Sequence, residues 1–81
     1  MRRINVVVGM DAAGMESGYW ANVRSGDPDS LQRAYPLMEP FPRCAIRLGS
    51  LPGLQEAVEY AKRKLAGAGI PEEFISVSAF V

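Results

Sequence analysis

The sequence predicts an α+β fold: a four-stranded mixed sheet with one main helix packed on one face, in the order β-β-(short α)-β-α-β. Three observations support this prediction. Four segments place apolar residues at alternate positions, which is typical of half-buried strands. One longer segment repeats apolar residues at helical spacing. The chain has 81 residues, which suits a single α+β domain over residues 1–81.

The first two strands are predicted to pair as an antiparallel hairpin. The first spans residues 3–8 and is rich in β-branched residues, and the alternating pattern resumes in GYWANVR, which begins at Gly18. Trp20 and Arg24 fall on the face that the main helix leaves uncovered. The residues expected to face the helix are Ile4, Val6, Val8, Tyr19, Ala21 and Val23.

A short helix and a proline-rich loop are predicted next. Asp27 is the expected N-cap, Pro28 occupies the first helical position, and Pro36 prevents continuation, so the helix has about two turns. The prolines within residues 35–42 favour an extended but ordered loop. Its apolar side chains are Leu37, Met38 and Phe41.

A third strand, the main helix and a fourth strand complete the predicted fold. They cover residues 43–48, about 51–66 and 75–81. The strand-helix-strand unit should be a right-handed crossover between parallel strands. The apolar stripe of the helix consists of Leu54, Val58, Ala61 and Leu65, and the third strand should turn Cys44, Ile46 and Leu48 inward.

Cys44 is the single cysteine, so no internal disulfide is possible and a reducing compartment is expected. We therefore predict a cytoplasmic protein in which the thiol of Cys44 is a small apolar filler. The apolar run that follows the basic N-terminal residues is too short for a signal peptide or a membrane span, and no membrane association is expected.

Several functions are excluded by composition. There is no histidine, which removes the usual general base and the commonest metal ligand. One cysteine is too few for a structural zinc site. Gly9 and Gly14 lie in the first loop, but Met15 and Glu16 follow where a phosphate loop needs lysine and a hydroxyl. No catalytic, cofactor-binding or metal-binding residue is therefore predicted.

The uncovered sheet face and the proline-rich loop hold the predicted interface. Aromatic residues mixed with arginines are enriched in protein interfaces, and nine basic against nine acidic residues favour self-association. Single-stranded nucleic-acid binding by the same residues is an alternative. A small-molecule binding protein or enzyme with a site between subunits is another. The interface candidates are Trp20, Arg24, Arg47 and Phe80 on the sheet, with Met38 and Phe41 on the loop.

Two segments, INVVVGMDAAGMESGYWANV and CAIRLGSLPGLQEAVEYAKRKLAG, resemble HicB-type antitoxin domains, which have a partial ribonuclease-H-like fold. The matching residues are Gly18, Tyr19, Trp20, Ala21, Glu56, Ala57 and Ala61. The resemblance implies a self-associating module that binds a small ribonuclease toxin or another protein and lacks the catalytic acids of ribonuclease H. The expected function is thus a small non-catalytic protein-binding module, antitoxin-like or inhibitor-like, that forms a homo-oligomer.

Overall fold

Four strands, two α-helices and two short 3-10 turns form the described part of the computed structural model, which comprises residues 3–10, 18–40 and 44–79. The strands are β1 (Ile4–Gly9), β2 (Tyr19–Gly26), β3 (Ala45–Gly49) and β4 (Ile75–Ala79). The helices are α1 (Pro28–Ala34) and α2 (Leu54–Gly67), and the 3-10 turns are Tyr35–Leu37 and Glu72–Phe74. The order of elements and the α+β class are as predicted.

The sheet has the strand order β3-β2-β1-β4. β2 pairs antiparallel with both of its neighbours, whereas β4 pairs parallel with β1. β3 and β4 therefore run in the same direction, as the predicted crossover requires, but β2 and β1 lie between them. Helix α2 connects these two outer strands and contacts all four strands of the sheet.

The main core lies between α2 and one face of the sheet. Alternation along β1 buries Ile4, Val6 and Val8 as predicted. On α2 the fully buried residues are Ala57, Ala61 and Leu65, spaced four apart, while the predicted Leu54 and Val58 flank them and are partly buried. The two alanines are short, so the helix axis can approach the sheet closely. The other buried members of this core are Ala21, Ala34, Ile46, Leu48, Ile70 and Ile75.

Gly18 has a structural reason to be glycine. Its φ is +120°, a conformation that side chains rarely adopt, and a Cβ at this position would lie 3.2 Å from the backbone carbonyl of Gly49. A side chain at residue 18 would therefore strain the backbone and crowd the end of β3 where it meets the start of β2.

The proline-rich segment is not simply the extended loop that the sequence predicts. Tyr35–Leu37 continues α1 as a 3-10 turn, with Pro36 among its first positions, where a missing N–H costs no hydrogen bond. The chain then becomes extended. Met38 forms an isolated antiparallel bridge with Ile46, and the N–H of Glu39 donates to the carbonyl of Ala45 at 2.9 Å. The segment thus covers part of the outer edge of β3.

Helix α1 begins at the predicted cap. Asp27 accepts a hydrogen bond from the N–H of Ser30 at 3.0 Å and another from the hydroxyl of Ser30 at 3.1 Å. The hydrogen bond from the Ser30 N–H holds the pKa of the Asp27 carboxyl below its ordinary value. The ionised carboxylate therefore contributes more to the folded state than its protonated form does.

We predict that this cap makes stability dependent on acid pH. Because the folded-state pKa of Asp27 is lowered, its contribution is complete above the ordinary aspartate pKa of about 4 and is lost as the pH falls through the folded-state value. An asparagine at this position would still cap the helix but would not titrate. In Asp27→Asn, the denaturant midpoint should fall less between about pH 5 and about pH 2 than in the wild type. An equal decrease of the denaturant midpoint in the wild type and in Asp27→Asn would contradict the prediction.

Candidate functional site

Trp20 is completely buried, with 0% of its surface exposed, and the prediction that it is an exposed interface residue is wrong. It lies on the sheet face opposite α2, in a small second core with Ala45. Its neighbour on β1 is Gly9, which presents no side chain, and its neighbour on β3 is Arg47. The alternating pattern along β2 correctly places Trp20 on the sheet face opposite α2, but it does not indicate which residues cover that face.

Arg47 connects this second core to the edge of the sheet. Its guanidinium carbon lies 4.7 Å from the centroid of the Trp20 ring, within the range of a cation–π contact. Its Nε donates to the carboxylate of Glu39 at 2.7 Å. Arg47 is exposed, as predicted, but its charged group is engaged by Glu39 and Trp20 in a structural cluster. The nucleic-acid alternative therefore loses the ring and much of the cation on which it depends.

A one-residue irregularity in β2 changes the setting of Arg24. Val23 pairs with Val6 and Ser25 pairs with Asn5, so Arg24 is an extra residue with no partner on β1. A bulge of this kind interrupts the alternation and bends the strand. Arg24 therefore leaves the regular sheet face and lines a groove beside α1.

This α1 groove has a volume of about 290 Å³. It is lined by Val23, Arg24, Ser25, Leu31, Tyr35, Met38 and Cys44. The bulged end of β2 forms one wall, and α1 with the 3-10 turn and Met38 forms another. Arg24 and Met38, two of the predicted interface residues, are brought together here. Trp20 and Arg47 do not line the groove. Phe41, Phe80 and residues 11–17 of the loop between β1 and β2, which include Gly14, lie outside the described residues.

The groove combines an apolar floor with a polar rim. Val23, Leu31 and Met38 are half-buried and pack against the main core. Tyr35 is 50% exposed, which makes it one of the two large hydrophobic residues that the described chain leaves open to solvent. Arg24 is exposed and, within residues 3–10, 18–40 and 44–79, has no carboxylate partner. An aromatic ring and a cation thus border an apolar depression whose floor includes the deformable thioether of Met38.

Two groove residues differ from what the sequence predicts. Cys44 is predicted to face inward with Ile46, but it is exposed because β3 begins only at Ala45 and the alternation does not extend to it. Its carbonyl accepts a hydrogen bond from the N–H of Val23 at 2.7 Å, which holds residue 44 against β2. Tyr35 is not among the predicted interface residues. The sequence signal that could have identified Tyr35 is an aromatic residue at the end of a short helix, directly before a proline.

The described residues were compared with the requirements of a metal site and of a membrane span. Within the described ranges, no group of three or more metal-ligating side chains is assembled. In those same ranges, no helix combines the length and the apolar character needed to cross a bilayer.

Comparison of the chain with protein-family models, with curated proteins and with solved structures gives no match. Within the described residues, the feature of the structure that bears on function is the α1 groove.

We predict that Trp20→Ala destabilises the fold. Truncating a fully buried tryptophan leaves a cavity, so the free energy of unfolding should fall by about 3–5 kcal/mol. Trp20→Phe retains an aromatic ring beside Arg47, so its free energy of unfolding should fall by less than that of Trp20→Ala. Urea denaturation followed by far-ultraviolet circular dichroism measures both values. An unchanged free energy for Trp20→Ala would show that the ring is not part of a packed core.

We also predict that Cys44 reacts in the native state. Its exposed side chain should be modified by Ellman's reagent to one thiol per chain without denaturant, at a rate close to that of the urea-unfolded protein. The buried filler that the sequence suggests would instead react only after unfolding. Cys44→Ser provides the blank for this measurement.

Proposed function

We propose that this chain is a non-catalytic protein-binding module, antitoxin-like or inhibitor-like, which acts in the cytoplasm as a homo-oligomer and binds its protein partner at the α1 groove. The single observation that carries this proposal is the composition of the groove. Tyr35 and Arg24 border an apolar depression whose floor includes Met38. Tyrosine and arginine are enriched at the energetic centres of protein interfaces, and methionine is enriched in interfaces generally.

The shape of the groove supports a side-chain anchor as the bound element. Its floor is formed by apolar groups that already pack on the core, so it is preformed and little ordering is needed on binding. Arg24 has no carboxylate partner among the described residues and can pair with a carboxylate beside the anchor. We therefore propose that a large apolar side chain of the partner, next to an acidic residue, occupies the groove.

The order of the elements supports the antitoxin-like interpretation. In the resemblance, a first strand, a Gly-Tyr-Trp/Val-Ala strand, a third strand and an alanine-rich helix follow one another. In this chain β1, β2, β3 and α2 occur in that order, with α1 and the 3-10 turn Tyr35–Leu37 inserted between β2 and β3. The proposed partner is accordingly a small toxin of the ribonuclease type or another protein of similar size.

A small apolar ligand with an anionic group is the second candidate. The observation that favours it is the groove volume of about 290 Å³, close to the lower limit of about 300 Å³ for small-molecule sites. This site would lie within one chain, whereas the sequence-based alternative places it between subunits. The two candidates differ in their outcome in a crosslinking experiment.

The first test is photocrosslinking from the groove. A benzophenone amino acid replaces Tyr35, and in a matched control it replaces Gln55, an exposed residue of α2 outside the groove. Expression in the native host followed by irradiation should give a covalent heteromer from position 35 but not from position 55. Equal capture at both positions, or none at position 35, would contradict a protein-binding groove and leave the small-ligand candidate for testing.

The second test measures affinity for the captured protein in purified form. Arg24→Glu places an acidic group where the proposed pairing needs a cation, so the dissociation constant should rise at least tenfold, about 1.4 kcal/mol. Arg63→Glu makes the same change of charge on α2, outside the groove, and should have little effect. Calorimetric titration gives both constants. Relief of growth inhibition on co-expression would distinguish an antitoxin from another inhibitor.

A further inference from the structure

We propose that two copies of this chain join through the free edge of β4, so that the sheet continues from one copy into the other. This inference rests on the self-association that is part of the proposed function, and it identifies the surface responsible. The pairing of β4 in one copy with β4 in the other is the β4 joint. The two edges of the sheet differ in the features that permit or prevent such edge-to-edge pairing.

The β3 edge is protected by the chain itself. Met38 bridges to Ile46, and the N–H of Glu39 donates to Ala45, so this segment occupies part of the outer hydrogen-bonding edge. β3 also carries the charged Arg47, and its register with β2 is interrupted between Tyr19 and Trp20. A covering segment, a charge and an irregular register are features that prevent one sheet from joining another.

The β4 edge has none of these features among the described residues. Its sequence, ISVSA, contains no charged residue and no proline. Its register with β1 is regular from the Ile4 and Ile75 pair to the Val8 and Ala79 pair. β4 is the last strand of the sheet, so no strand within the described ranges pairs with its outward N–H and C=O groups. An uncharged, regular edge strand is a template for pairing with an identical one.

The positions of the charges favour an antiparallel, two-fold arrangement. Glu72 and Glu73 are exposed and lie in the 3-10 turn Glu72–Phe74, which immediately precedes β4. In a parallel joint, the acidic pairs of the two copies would lie side by side. In an antiparallel joint they lie beyond opposite ends of the strand, separated by more than its length of about 17 Å for five residues. An antiparallel joint also satisfies two-fold symmetry, in which each copy presents the same surface.

The joint brings particular side chains together. Ser76 and Ser78 point to the sheet face opposite α2 and are exposed, whereas Val77 points to the α2 face and is half-buried. In an antiparallel joint the serines of one copy meet those of the other, and the two Val77 side chains lie close on the helix side. Because the chain has zero net charge, no overall electrostatic repulsion opposes the association of two copies.

The size of the joint determines its strength. One pair of five-residue strands buries less surface than the roughly 1,200 Å² of a stable interface. We therefore expect a dimer that dissociates on dilution, with a dissociation constant on the order of micromolar or weaker. Analytical ultracentrifugation of the wild type across protein concentration should show this monomer–dimer equilibrium.

Paired charge variants test the location of the joint. In S76K/S78K, each pair of serines that face each other across the joint becomes a pair of lysines. In S76E/S78E, each such pair becomes a pair of glutamates. Each variant alone should be monomeric at concentrations where the wild type is dimeric. An equimolar mixture of the two should form a heterodimer, since opposite charges then meet across the joint. At about 1 M salt the fraction of heterodimer in the mixture should decrease, because salt screens the attraction between the opposite charges.

The control for added charge lies on the helices. Gln32→Lys with Gln55→Lys adds the same charge at helical sites away from β4 and should remain dimeric, and circular dichroism verifies that all variants are folded. A wild type that is monomeric at every concentration would overturn both the joint and self-association, while leaving partner binding at the α1 groove intact. A dimer that persists in both serine variants would overturn only the β4 joint.

Discussion

The antiparallel pairing of β1 with β2 is the interaction on which the rest of this small structure depends. The two strands form the centre of the sheet, and each outer strand is held by one of them. They also supply burial on both faces, with Ile4, Val6 and Val8 beneath α2 and Trp20 on the opposite side. A slip of one residue in this pairing would exchange the two faces and place apolar residues in water.

That dependence explains which parts of the structure could be predicted. A strand with one face against a helix must alternate apolar and other residues, so the pattern around Val6 indicates its location and its inner face. The helix cap was equally predictable because Asp27 and Pro28 act within one turn of the chain. Local patterns of this kind depend on short-range geometry, and the four strands and both helices follow from them.

The remaining features depend on contacts between distant segments. The burial of Trp20 requires Arg47 and Ala45 of β3 to lie beside it, and nothing in the sequence near residue 20 specifies that. The exposure of Cys44 depends on the residue at which β3 begins, and strand boundaries are the least certain part of any periodic pattern. The α1 groove exists because an irregularity at Arg24 meets a 3-10 turn at Tyr35, and neither leaves a clear sequence pattern.

The burial of Trp20 also gives the molecule an optical reporter. It is the only tryptophan of the chain, and the guanidinium carbon of Arg47 lies 4.7 Å from the centroid of its ring. Indole emission therefore reports the packing of the sheet face that α2 does not cover. Circular dichroism, in contrast, is dominated by α2 on the other face. Coincident transitions of the two signals would show that both sides of the sheet unfold in one cooperative step, and separated transitions would show that the second core is a distinct unit.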